Sequence, residues 1–115
     1  ASIDGVDLIA ERFDDITPDL LRQVGDRIRQ KFPLSLMLLA GVGPEGRVSL
    51  TAMASDEAVQ KGAHAGKVLQ GVAAVLGGKG GGRPNLAQGG AQSADKLEEA
   101  FAKAPEIFEG LMRGK

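Results

Sequence analysis

Cysteine, tryptophan and tyrosine are absent from these 115 residues, and the aromatic content is four phenylalanines. Without cysteine there is no disulfide and no thiolate metal site, which permits a reducing compartment. One histidine, His64, cannot form a metal site with neighbouring histidines. No apolar run approaches the roughly 20 residues needed to span a membrane. No charged-then-apolar N-terminal segment has the pattern of a signal peptide. The chain begins at Ala1 rather than methionine, which fits a piece of a longer polypeptide.

What is present is an ordinary globular composition, 43% hydrophobic and 25% charged. The length predicts one domain over residues 1–115 with a single modest core. The net charge of −1 conceals an uneven distribution. Residues 1–57 hold ten acids and six bases. Residues 58–94 hold no acid, and their bases are Lys61, Lys67, Lys79 and Arg83. A stretch with cations alone is an electrostatic reason to expect an anionic partner there.

Residues 3–13 alternate imperfectly and predict a first strand. Thr17-Pro18-Asp19 is a helix start, with a capping threonine, a proline suited to the first position and an aspartate complementing the dipole. Leu20, Leu21, Val24, Ile28 and Phe32 then recur at helical spacing until Pro33. Leu34–Ala40 predicts a buried strand, and Val48–Ala54 a second, joined by a turn-rich connection. Ser55-Asp56-Glu57 can open a short helical turn that Gly62 stops. A second long helix begins near His64 or Ala65 and ends at Gly77-Gly78. A glycine-rich loop follows. Ser93 then caps a third helix carrying Asp95 in its first turn, and Pro105 kinks that helix or starts a fresh segment. The predicted class is α/β (α+β): a small, at least partly antiparallel sheet, helices covering a face, and the glycine-rich loop between the last two main helices.

Two motifs fail on context. Gly41-Val42-Gly43-Pro44-Glu45-Gly46 matches G-x-G-x-x-G after a strand, but the dinucleotide motif must then open a helix. Here Arg47–Thr51 reads as strand, so the match is a hairpin connection. Gly66-Lys67 and Gly78-Lys79 lack both the first glycine and the hydroxyl residue of a phosphate-binding P-loop. No carboxylate lies in the glycine-rich segment, so no acid–base pair is built there.

Gly77–Ala91 packs seven glycines around Lys79, Arg83 and Pro84. Glycine lets another molecule approach the main chain, and exposed N–H groups make anion sites. Lys79, Gly80, Gly81, Gly82 and Arg83 are therefore candidate phosphate contacts, with Arg83 able to fork onto a phosphate. Pro84 stiffens the stretch. Asn85 and Gln88 can hydrogen-bond bases or ribose, or tie the loop to itself. Lys67, in the first turn of its helix, is either an anion contact helped by the helix end or an ordinary surface lysine. His64 is either a donor to phosphate or base edge, or a surface histidine with a structural hydrogen bond.

The segment GGKGGGRPNLAQGG, preceded by HAGKVLQGVAAVLGG, resembles the globular part of the C-terminal domain of alanyl-tRNA synthetases, a member of the DHH-associated superfamily. The close match spans about residues 62–92. Asn85 and Ala91 depart from its pattern, where an acid and a glycine are expected. The superfamily's phosphoesterases carry histidine after the glycines, where Arg83-Pro84 stands here, and their Asp-His-His motif is absent. The resemblance implies a non-catalytic RNA-binding module that grips the elbow of tRNA(Ala) and helps couple aminoacylation with editing. It implies no cofactor and no metal in this chain, a parent ligase using ATP, Mg and Zn, other synthetase domains as partners, and a cytoplasmic location. The alternatives are the same domain on a free-standing alanyl-tRNA editing protein, a protein-interaction or dimerisation module, and an oligonucleotide phosphoesterase fragment. Oligomeric state stays open.

Overall fold

A computed structural model describes residues 2–3, 5–43 and 45–113. Asp4, inside the predicted first strand, and Pro44, in the predicted turn, lie outside them. The strands are β1 (Ser2–Ile3), β2 (Val6–Asp14), β3 (Ser35–Val42), β4 (Val48–Ala54), β5 (Lys79–Gly82) and β6 (Leu86–Ala91). The helices are α1 (Pro18–Lys31), α2 (Asp56–Gln60), α3 (Ala65–Leu76) and α4 (Leu97–Arg113). One mixed sheet has the order β1-β2-β3-β4-β6-β5. Only β2–β3 is parallel, with α1 as the crossover that parallel strands require. The remaining pairs are antiparallel.

Every residue of β3 is buried. Leu36, Leu38 and Ala40 turn to one core, and Met37 and Leu39 to the other, as strand alternation requires. The predicted helix layer on one face is thus a layer on each. Helix α1 lays Leu21 on Met37, Leu39 and Met53. Helices α3 and α4 lay Val68, Leu69, Val72, Ala104 and Phe108 on the opposite face.

Helix α1 starts as its sequence indicates: the Leu20 N–H donates to Thr17 Oγ1 at 3.2 Å, with Pro18 in the first position. Ser55 caps α2 in the same way, at 3.2 Å. In the connection after β3, Gly43 N–H donates to Arg47 O and Gly46 N–H to Gly43 O, with Gly46 at φ 82°. The G-x-G-x-x-G match is hairpin chemistry, and a strand follows it.

Three expectations are corrected. The glycine-rich segment is a β-hairpin, β5–β6, and its glycines are ladder residues. Ser93 does not cap the last helix: its Oγ accepts from Asp95 N–H at 3.1 Å in a turn, and α4 begins at Leu97. Pro105 does not start a fresh segment, because α4 runs through it. Its missing N–H removes one internal hydrogen bond, and buried Ala104 and Phe108 hold the helix across the gap.

Candidate nucleic-acid interface

The hairpin tip, Arg83-Pro84-Asn85, is fixed by backbone hydrogen bonds in three directions. Arg83 N–H closes the turn on Leu86 O at 2.9 Å. Ala65 and Gly66, at the start of α3, donate to Pro84 O and Arg83 O at 2.8 and 3.1 Å. Ala54 N–H, at the end of β4, donates to Asn85 O at 3.0 Å. With its main chain so held, the tip turns the side chains of Arg83, Pro84 and Asn85 outward, all exposed.

The same bonds revise the reading of the helix end. Four N–H groups at the start of α3 lack an intrahelical partner in principle. Here Ala65 and Gly66 serve the tip, Lys67 N–H donates to His64 Nδ1 at 3.1 Å, and Val68 N–H reaches His64 O. No free N–H remains there to bind an anion. His64 is the N-cap, the structural role left open from sequence, and its Nε2 remains for a second partner. What Lys67 leaves open to a ligand is its exposed side chain alone.

The glycines divide by role. A Cβ on Gly66 would fall 2.5 Å from Gly82 O, so helix and hairpin touch main chain to main chain. A Cβ on Gly80 would strike Leu69 of α3, and one on Gly82 would meet Leu86 O at 2.7 Å. These glycines are required by packing. Gly81 has nothing within 4 Å of the Cβ position, so it is the one of the three whose open space a ligand could use. As the sheet edge, β5 also leaves alternate backbone groups unpaired.

His64, Lys67, Arg83, Pro84 and Asn85 are therefore brought together at the tip. His64, Lys67 and Pro84 line a groove of about 370 Å³ that Gly110 and Leu111 of α4 close. Gln88 is exposed on β6, paired with Gly81 across the hairpin. Lys79 is not part of this group: it opens β5, four residues from Arg83, about 13 Å along an extended strand. The two cations thus stand at opposite ends of β5. Lys79 instead lines a hollow with Arg47, a residue to which the sequence assigns only a place in the β3–β4 connection. The signal for Arg47 is the β4–β6 register, which is not visible in a single sequence. Among the described residues, no group of three or more histidines and acids is placed to hold a metal. No helix of the described residues is long and apolar enough to cross a membrane.

A family model described as the DHHA1 domain matches residues 5–110. Curated relatives include alanine–tRNA ligase of Acetivibrio thermocellus, 41% identical over 97% of this chain and 13% of that protein. Alanine–tRNA ligase 1 of Lachnoclostridium phytofermentans is 40% identical over 96% of this chain and 12% of the relative. The ligase of Clostridioides difficile is 37% identical over 92% of this chain and 12% of its own length. The chain thus spans about an eighth of the length of these relatives. Among solved structures, the C-Ala domain of Aquifex aeolicus alanyl-tRNA synthetase matches with a TM-score of 0.78 and 31% identity, over 90% of this chain and 91% of that one. The chain belongs to the DHHA1 domain family, in the form found as the C-Ala domain of alanyl-tRNA synthetases.

Proposed function

We propose that this chain is the non-catalytic tRNA-binding module of an alanine–tRNA ligase, and that it holds the RNA at the tip of the β5–β6 hairpin. The observation that carries this reading is the tied tip, which presents Arg83, Pro84 and Asn85 on a fixed main chain beside Lys67 and His64. A preformed site loses little conformational entropy on binding, which suits recognition by shape. The RNA elbow of tRNA(Ala) is the target that fits: folded RNA is read through shape, phosphate and ribose. Four phenylalanines and no other aromatic leave little to stack on bases.

In the parent, the module would keep the tRNA engaged while the acceptor end passes between charging and editing sites in other domains. Tethering raises the effective concentration, so weak binding by the isolated module is sufficient. The names of the relatives support a ligase parent over a free-standing editing protein. ATP, Mg and Zn chemistry belongs to those other domains, in the cytoplasm.

Titration of the chain with tRNA(Ala) at rising salt tests this. With the two tip cations, Lys67 and Arg83, each meeting a phosphate, the slope of log K against log salt should be about −1.4 to −1.8. Arg83→Ala and Lys67→Ala should each weaken binding several-fold. Equal binding by wild type and the double variant, without salt dependence, would overturn the reading.

A further inference from the structure

Three strands end together at the edge of the sheet away from the hairpin tip. Val48 opens β4 opposite Ala91, which closes β6, and Lys79 opens β5 opposite Gly90. Helix α3 stops beside them at Gly77, left-handed at φ 75°, whose N–H and that of Gly78 close the helix on Ala74 O and Ala73 O. The hollow left between these ends is about 630 Å³, within the range of small-molecule sites.

Its lining carries three chemistries side by side. Val48, Leu76 and Ala91 give it an apolar wall on the side that faces α3. Ser49, Gln92 and Ser93 supply hydroxyl and amide groups. Arg47 and Lys79 supply positive charge, and no acid lines the hollow. Ser49, Gly90 and Lys79 form one rung across β4, β6 and β5. Cross-strand partners share a face, so Ser49 and Lys79 stand about 10 Å apart with bare glycine backbone between them. That gap suits a planar ring lying on the main chain.

The cations are also unspent. Among the described residues Arg47 and Lys79, like most cations outside the four ion pairs of Arg12, Arg29, Lys103 and Arg113, meet no carboxylate and can meet an anion. A cation near the end of α3 would complement the helix dipole, which accounts for Lys79. It does not account for Arg47, carried on a separate hairpin, or for the adjoining hydroxyl and amide groups.

We propose that this hollow is a second binding site, which takes one nucleotide: a free nucleoside monophosphate, or a single residue of an RNA strand turned out of its stack. The base lies on the Gly90 backbone, on the face of the sheet that Ser49 and Lys79 share. Ser49 and Gln92 hydrogen-bond the base or ribose. Arg47 and Lys79 hold the phosphate. The site lies at the far end of β5 from the tip and does not depend on the tip binding RNA.

The test is a set of amide-resolved NMR titrations of the ¹⁵N-labelled chain. A solved C-Ala domain of matching extent makes a chain of this length a workable sample. The probes are the four nucleoside 5′-monophosphates, inorganic phosphate and a short single-stranded RNA. Saturable shifts are expected at Gly77, Gly78, Gly90 and Gln92, with Arg47→Ala and Gln92→Ala each weakening them several-fold, Arg47→Ala about tenfold. Both side chains lie at the surface, and a dispersed spectrum confirms that each variant is folded. The exposed Arg22→Ala on α1 is the control and should change nothing. Shifts with the RNA strand alone, abolished by Arg47→Ala, would identify the occupant as a strand residue and uphold the site. Shifts as strong with inorganic phosphate as with nucleotides would overturn it, as would shifts indifferent to Arg47→Ala, or none with any probe. Should tRNA binding through the tip fail while monophosphates shift these amides, the site stands and the tip reading falls.

Discussion

At the scale of the residue, glycine decides how this sequence is read. Seven glycines in fifteen residues suggest a loop whose main chain is open to a ligand. Most of that openness is closed by packing: the contact of α3 with the hairpin leaves no space for a Cβ at Gly66 or Gly80, and β6 leaves none at Gly82. Gly66→Ala should therefore cost about 1–3 kcal/mol, since its neighbour is a backbone carbonyl that cannot swing aside. A lowered urea midpoint would register it. Gly81 is the contrast. With nothing near its Cβ position, Gly81→Ala should leave stability within about 0.5 kcal/mol. If RNA approaches the main chain there, the same change should weaken tRNA binding several-fold in a filter or fluorescence assay. Loss of affinity without loss of stability separates the ligand role of a glycine from its packing role.

At the scale of the element, capping was the most legible feature. Thr17, Ser55 and Gly77 stand where a side-chain oxygen or a left-handed residue was expected, and each acts as such. Strand β4 has the predicted limits. The β5–β6 hairpin was not legible, because KGGG carries neither alternation nor strand preference. Its pairing is imposed by β4 on one side and by Leu69 and Gly66 of α3 above. Ser93 misled for a local reason: it satisfies a turn, and the helix starts four residues later. The cap on α3 is a histidine nitrogen, an uncommon acceptor in that position. His64→Ala should cost about 1 kcal/mol, and His64→Asn should recover most of it. Because α3 also holds the tip through Ala65 and Gly66, amide exchange at Ala65, Gly66 and Arg83 should rise in His64→Ala and return in His64→Asn.

At the scale of the whole molecule, the two-sided core explains why β3 reads as an unbroken apolar run. Which helix lies on which face follows from the parallel β2–β3 pairing, and that is a long-range choice no short pattern reveals. The larger core is closed by α4, with Phe108 fully buried at its centre. Phe108→Ala should cost about 3–5 kcal/mol, with an unchanged denaturant slope if the chain still unfolds in one step. The division of cations was also hidden: Lys67 and Arg83 meet at one end of the hairpin, whereas Lys79 joins Arg47 at the other. The acid-free segment predicts an anionic partner, and the fold parts its cations between the two ends of the hairpin.

Whether the tied hairpin tip is the RNA surface is tested most directly by parallel titrations. Wild type, Lys67→Ala/Arg83→Ala and the control Arg22→Ala are titrated with tRNA(Ala) at two salt concentrations. The double variant should lose at least about tenfold in affinity and flatten the salt dependence by about two contacts, while the control binds as wild type does. Equal affinity in all three at both salts would contradict it and move the RNA contact away from the tip.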